Sequence, residues 1–335
     1  MGHRRTQIFG NIALLVATLI GCAVVLEVLI RVSGIEVVSP AHPHIHQASD
    51  IPGLNYEFIP NLKDAPGYNG ESISTNSLGF RGPEFDPEKS TIVNIGDSFA
   101  FGFGVEDDET NMEPLREAFA NMNILNVAVN GYNIEQEARA YVAKFHDLKP
   151  LVGIVQFTFN DMRPPSILSP ADVEPLEDYL SRTTIDARLA EDISKPGTLP
   201  IPFKFWLTTH SAFFRFIEKR TKWLPFRSHA EISAEDSITQ ADLNMYETWF
   251  GKLTSALDGA SKIFVIWPES APHNFSRAAL RAMAEKRGYL VLDLYETFGA
   301  GYPSLSWDWH PSAATQKRVG ELLVELIRSH HLLPL

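Results

Sequence analysis

The sequence predicts an α/β fold, a parallel sheet covered by helices on both faces, preceded by an N-terminal transmembrane helix. Two observations carry the sheet: short β-branched apolar runs alternate with helix-like segments from residue 90 onward, and that alternation is the pattern of parallel strands covered on both faces. One observation carries the membrane helix. From Ile8 to Ile30 the chain is apolar with Glu27 as its only charge, and about 20 such residues cross the hydrocarbon core of a bilayer.

The anchor comes first in the chain. His3, Arg4 and Arg5 precede it, whereas after Arg31 no Lys or Arg occurs until Lys63. The positive-inside rule then places the N-terminus in the cytoplasm and the rest across the membrane. Glu27 lies near enough to the far end to reach the interface or to face a partner helix. Leu19 to Cys22 resembles a lipoprotein cleavage box, but the apolar run continues past Cys22, so residues 1–32 read as a cytoplasmic tip and uncleaved anchor. Gly2 with Thr6 also fits a myristoylation pattern, which two arginines and a spanning helix make coincidental. Cys22 is the sole cysteine, so the translocated part has no internal disulfide.

Residues 33–90 are rich in Pro, Gly, Asn and Ser and read as a linker and a loop-rich lead-in. His42, His44 and His46 alternate, and three imidazoles on one extended face could bind a metal. With no acidic or cysteine ligand nearby, a plain linker is the better reading, and neither metal nor cofactor is expected.

Residues 91–335 form the main domain. Strand-like and helix-like runs follow one another from Ser90 to Asp161, and again from Ala241 to His330. An insertion at about 162–235 breaks the alternation. It is Pro-rich at both ends and holds Lys204 to Arg220, whose aromatic and aliphatic positions recur at helical spacing. It could cap a pocket, pack on the domain or rest on the membrane. The 335-residue chain carries 29 Lys and Arg against 41 Asp and Glu, a net charge of -12 without a basic stripe, which excludes nucleic acid as the expected partner. Protein partners are not encoded in any readable motif.

Ligands of open parallel sheets sit outside the carboxyl ends of the strands. The first strand delivers Asp97 and Ser98 to that edge, the second Asn130 and Gly131, the third Asn160 and Asp161. The loop before the last helix adds Asp308 and His310. Serine, histidine and aspartate thus become candidate neighbours.

Four blocks in order resemble the SGNH or GDSL hydrolases. Gly96-Asp97-Ser98 resembles the nucleophile block, the stretch with Gly131 the glycine block, that with Asn160 the asparagine block, and Asp308-Trp309-His310-Pro311 the histidine block. "TNSLGFRGPE" (Thr75 to Glu84) and the anchor look like a bacterial membrane-anchored branch of that family. The resemblance implies a flavodoxin-like three-layer α/β/α fold and a single-pass protein of the bacterial inner (cytoplasmic) membrane, with its catalytic domain extracytoplasmic or periplasmic. It further implies Ser98 as nucleophile, His310 as base and Asp308 as the acid that orients it. The Ser98 and Gly131 N–H groups and the Asn160 amide become the oxyanion donors. Asp97 is expected to brace the turn and Asp161 to bond within its own loop.

One spacing departs from the pattern. The family's commonest arrangement has the acid three residues before the histidine, where this chain has Trp307, while Asp308 stands two before. That D-x-H spacing also occurs in polysaccharide O-acetyltransferase relatives. Trp307 and Trp309 flank the histidine and could wall a sugar ring or acyl chain. The expected activity is hydrolysis of an O-acyl ester, of a carbohydrate or another small molecule. The alternatives are an O-acyltransferase of an envelope or exopolysaccharide and a retired glycan-binding or scaffold protein. A phosphate loop lacks its lysine, a two-metal site its further histidines, and an α/β-hydrolase elbow its G-x-S-x-G pattern.

Overall fold

A computed structural model describes residues 2–33, 45–68, 71–168, 173, 211–214, 239–268, 277–299, 301–305 and 308–333. His42, His44, Trp307 and most of the 162–235 insertion lie outside the described residues. The chain divides into two compact units, residues 1–42 with 180–226, and residues 43–179 with 227–335.

In the first unit, helix α1 (Gly2–Val32) leaves Leu14, Leu15, Leu19, Ile20, Val24, Val25 and Leu29 exposed. The membrane span expected from the sequence is not borne out at this level. Among the described residues, no helix is long and apolar enough to cross a membrane. Near the end of α1, the Glu27 carboxylate accepts hydrogen bonds from Ser211 Oγ (2.8 Å), Ala212 N (2.9 Å), Phe213 N (2.8 Å) and Arg31 Nε (2.7 Å).

The second unit carries the sheet. Its strands are β5 (Thr91–Ile95), β6 (Asn123–Asn126), β7 (Val152–Phe157), β8 (Ser261–Ile266) and β9 (Tyr289–Asp293), all parallel, in spatial order β6-β5-β7-β8-β9. This is the flavodoxin-like order, and its direction reverses between β5 and β7. Side chains alternate between two cores because successive strand residues point to opposite faces. Val93, Ile95, Val155, Phe157, Phe264 and Ile266 enter one core. Ile92, Val152, Ile154, Ile263 and Val265 enter the other.

The first core is covered by α4 (Ile134–Phe145), α5 (Gln240–Ala256) and α6 (Arg277–Lys286), which contribute Tyr141, Phe250 and Leu280 among others. The second is covered by α3 (Glu113–Ala118) and α7 (Ala313–Ser329), through Leu115, Val319 and Leu323. Of the helix-like run from Glu106 to Asn121, only Glu113–Ala118 folds as α-helix. A 3-10 turn, Asp107–Glu109, precedes α3, whose first turn holds Pro114, a residue without the N–H that an interior position would need.

The lead-in is folded onto the first core. β1 (His46–Ala48) pairs with β2 (Tyr56–Phe58), and β3 (Ala65–Pro66) with β4 (Ser72–Ile73), both antiparallel. Ile45, Leu54, Tyr56, Phe58, Ile73 and Phe80 are all buried in that core. His46 is buried too, stacked on Phe58 at 4.8 Å between ring centroids. Asn76 explains the "TNSLGFRG" motif locally: its side-chain oxygen accepts from Leu78 N and Phe80 N, each at 3.0 Å, and Gly79 takes the left-handed φ of 82°. The turn drives Phe80 into the core and buries Arg81 against the backbone of residues 102–105.

Candidate active site

The first strand ends at Ile95, and three residues convert it into a helix start. Gly96 has no room for a side chain, because a Cβ there would lie 2.7 Å from Ala100 Cβ and 3.1 Å from Gln156 O. Asp97 caps the short helix α2 (Ser98–Phe101), its carboxylate accepting from Phe99 N at 3.0 Å and from Thr158 Oγ1 at 2.9 Å. Ser98 therefore opens the helix at the carboxyl edge of β5, beside the switch point. Asp97 itself is fully buried and braces the turn, and burial pushes its carboxyl above the ordinary range.

The histidine loop reaches Ser98 from 212 residues away. His310 Nε2 lies 2.8 Å from Ser98 Oγ, and His310 Nδ1 lies 2.5 Å from Asp308 Oδ1. The two-residue spacing works because one carboxylate oxygen serves the same residue twice: Asp308 Oδ1 also accepts from His310 N at 3.0 Å. The loop is pinned at its base by an isolated bridge between Ser304 and Pro311, by Leu305 N donating to His310 O at 2.8 Å, and by Thr315 Oγ1 donating to Pro303 O at 2.6 Å. Burial alone would raise the Asp308 carboxyl. The hydrogen bonds and charge of His310, with the His310 and Trp309 amides, outweigh that and hold it below the ordinary range.

The expected oxyanion donors stand on three neighbouring strand ends. Gly131 follows β6 with φ of 75°, a left-handed conformation that favours glycine, and a Cβ there would meet Tyr56 Oη at 3.1 Å. Asn160 follows β7. Its Nδ2 donates to Tyr132 O at 3.3 Å, its side-chain amide also hydrogen-bonds the Asp97 carboxylate, and its Oδ1 lies 2.6 Å from Thr158 Oγ1, contacts that together orient the amide. The backbone N–H groups of Ser98 and Gly131 have no partner among the described residues. Asp161 Oδ2 accepts from Thr158 N at 2.9 Å, so it bonds within its own turn as expected.

Aromatic rings surround the imidazole. Phe103 stacks on His310 with centroids 4.1 Å apart and planes at 26°, Trp309 lies at 4.5 Å and Phe99 at 5.2 Å. Trp309 is 53% exposed, which leaves an indole face open beside the histidine.

Several supporting residues escaped sequence reasoning. A ladder of buried amides crosses the sheet beneath α2: Asn94 Nδ2 donates to Asn126 Oδ1 (3.0 Å), Gln156 Nε2 to Asn94 Oδ1 (2.8 Å), and Trp267 Nε1 to Gln156 Oε1 (2.9 Å). It ties down α2 from below, because Asn126 Nδ2 donates to Ala100 O and Gln316 Nε2 to Phe99 O. The available signal was an amide interrupting an otherwise apolar strand, at Asn94, Asn126 and Gln156. Thr158, Tyr56, Phe103 and Arg81 had no such mark. Glu137, fully buried beside Asp97 and Asp161, was also missed; burial first, then the neighbouring Asp97 charge, push its carboxyl well above the usual range. Among the described residues, no cluster of His, Cys, Asp or Glu could hold a metal.

Sheet order and switch point are those of a flavodoxin-like parallel α/β fold, with Ser98, Gly131, Asn160 and His310 gathered along one edge. No family model matches the chain, and no curated protein matches it significantly. Among solved structures it is similar to a lipolytic protein of the G-D-S-L family from Desulfitobacterium hafniense (14% identity, 71% of this chain and 99% of that one, TM-score 0.43). It is also similar to a lipase/acylhydrolase from Enterococcus faecalis (14%, 72% and 96%, TM-score 0.41). A third is a carbohydrate esterase family 2 enzyme from Corynascus thermopiles (12%, 78% and 71%, TM-score 0.41).

Proposed function

We propose that this chain is a serine esterase of SGNH type that hydrolyses an O-acyl ester of a carbohydrate or another small molecule, held on the outer side of a bacterial inner membrane by α1. The observation that carries the reading is the unbroken line from Ser98 Oγ through the His310 imidazole to the Asp308 carboxylate. A serine hydroxyl is a weak nucleophile and needs a base within hydrogen-bond reach.

In the reaction, Ser98 Oγ attacks the acyl carbon while its proton passes to His310 Nε2. The carbonyl oxygen becomes an oxyanion, for which the Ser98 and Gly131 N–H groups and the Asn160 amide are the available donors. The imidazolium, steadied by Asp308, returns its proton to the departing alcohol as the C–O bond breaks, leaving an acyl-Ser98. Water then adds to that acyl group with its proton taken by His310, and collapse frees the acid and restores Ser98. The apolar run from Ile8 to Ile30 and the exposed leucines and valines of α1 support the anchored placement.

The D-x-H spacing and the open Trp309 face favour one second reading, transfer to a sugar hydroxyl held in place of water. The test feeds an activated acetyl ester to the full chain in detergent, with and without oligosaccharide acceptors, and follows free acetate and acetylated sugar by mass spectrometry. Free acetate in excess is the expected result. Acetylated sugar outpacing acetate establishes the transferase instead. A fluorophosphonate probe should label wild type and fail on Ser98→Ala; equal labelling of both rejects the nucleophile.

A further inference from the structure

Arg81, from the "GFRG" part of the lead-in motif, is buried to 2% exposure and takes no part in the chemistry above. Its guanidinium is nonetheless fully committed. Nε donates to Asp107 Oδ1 (2.7 Å), Nη1 to Gly102 O (2.6 Å), and Nη2 to Val105 O (2.7 Å) and Ser72 O (3.1 Å). The carbonyl of Phe101 lies 3.4 Å from Nη1, and the guanidinium carbon sits 4.9 Å over the Phe101 ring.

Three of these carbonyls belong to residues 101–105, the turn that leaves the C-terminal end of α2, the short helix that Ser98 opens. That turn has Gly102 at φ of 85° and Gly104 at φ of 75°. Glycine permits such a conformation but does not select it, since it populates many others equally well. Selection requires partners for the carbonyls, and the rigid fork of an arginine supplies several at once. Between the two glycines stands Phe103, stacked on His310 and backed by Tyr68 of the lead-in at 4.6 Å.

Two hydrogen bonds, at Nδ1 and Nε2, leave an imidazole free to rock about the line that joins them. A ring lying flat on its face removes that freedom. The same face attracts the positive charge that the imidazole carries after taking the Ser98 proton.

We propose that Arg81 is a positioning residue for the triad, fixing the 101–105 turn so that Phe103 holds the His310 ring in line with Ser98. The proposal rests on the esterase reading above and adds to it a role for the lead-in. A residue of the lead-in thereby sets the geometry of a base more than two hundred residues further on, without touching substrate.

The experiment measures turnover of an activated acetyl ester per active site, with sites counted by fluorophosphonate labelling of Ser98, so that an unfolded fraction lowers the count and not the rate. Arg81→Lys keeps the charge but cannot reach Asp107 and the 102 and 105 carbonyls together. It should lower kcat per site by about 10- to 100-fold with KM within about twofold, the scale expected when a reacting group is displaced by about an ångström. Phe103→Ala, on a partly exposed ring, tests the same link if Arg81→Lys does not fold, and should fall in the same range. Phe103→Tyr, which keeps the aromatic face, should recover to within about threefold of wild type, which simple loss of packing would not predict.

Phe103→Ala turning over at the wild-type rate per site overturns the proposal. So does a rise in KM at unchanged kcat, which would make Phe103 a wall of the substrate pocket. Wild type that shows no Ser98-dependent labelling overturns the esterase reading, and this proposal with it.

Discussion

Replacing Asp308 by Asn tests the unusual spacing at the histidine. In the structure one oxygen, Oδ1, accepts from both His310 N (3.0 Å) and Nδ1 (2.5 Å), and the side chain is 26% exposed. An amide oxygen can keep the backbone contact, so the loop should keep its shape. What it cannot supply is charge opposite the imidazolium that forms as Ser98 attacks. Breaking one side of a buried ion pair costs about 3 to 5 kcal/mol, and partial exposure places this pair at the lower end. About 3 kcal/mol at about 1.4 kcal/mol per decade is roughly two orders of magnitude in rate. Asp308→Asn should therefore lower kcat on an activated acetyl ester by about 100-fold or more, while KM moves little. Because the folded carboxyl is held below its ordinary value of 3.8, its ionised form stabilises the fold above that pH, and the contribution is lost as pH falls through the lower folded value. The stability gap between wild type and variant should close in acid. Turnover within threefold of wild type would refute the reasoning, since another group would then orient His310.

Three further outcomes follow from the same geometry. Glu137→Gln should make the protein more stable at pH 7: the buried carboxyl keeps its proton above 4.5, where the unfolded chain releases it, so wild-type stability declines as pH rises from there. Urea melts at pH 4 and pH 7 check this, and a pH-independent difference would count against it. Asn160→Ala should lower kcat by about 10²- to 10³-fold without loss of fluorophosphonate labelling sites, because one oxyanion donor goes while the nucleophile stays. A phosphatase reporter fused after Leu335 should be active only outside the cytoplasm, and cytoplasmic activity would reverse the orientation read from Arg4 and Arg5.

The motif residues form one continuous arrangement because the sheet's switch point falls between β5 and β7. On either side of that crevice stand Ser98 and Asn160, each at the end of its own strand, and Thr158 links them by contacting both Asp97 and Asn160. Nothing in the spacing of 97, 158 and 160 along the chain announces a hydroxyl shared between two blocks. Its role comes from the register that sets Ile95 opposite Val155.

What the sequence determined by itself is local or repeats along the chain. The α/β class follows from alternating strand and helix periods, the edge bearing Ser98, Gly131, Asn160 and His310 from the rule that parallel strands present their carboxyl ends together, and Gly131 from its place in the short block after the second strand. Each of these is written in a few consecutive residues. The tertiary structure alone decided that Asp308 reaches His310 twice across a two-residue gap, that Phe103 stacks on the His310 ring, that an amide ladder underlies α2, and that Arg81 grips the turn beside Ser98. Those contacts join side chains far apart in sequence. Their partners are selected by packing and by the need of every buried polar group for a hydrogen bond, and neither leaves a period or a spacing to read.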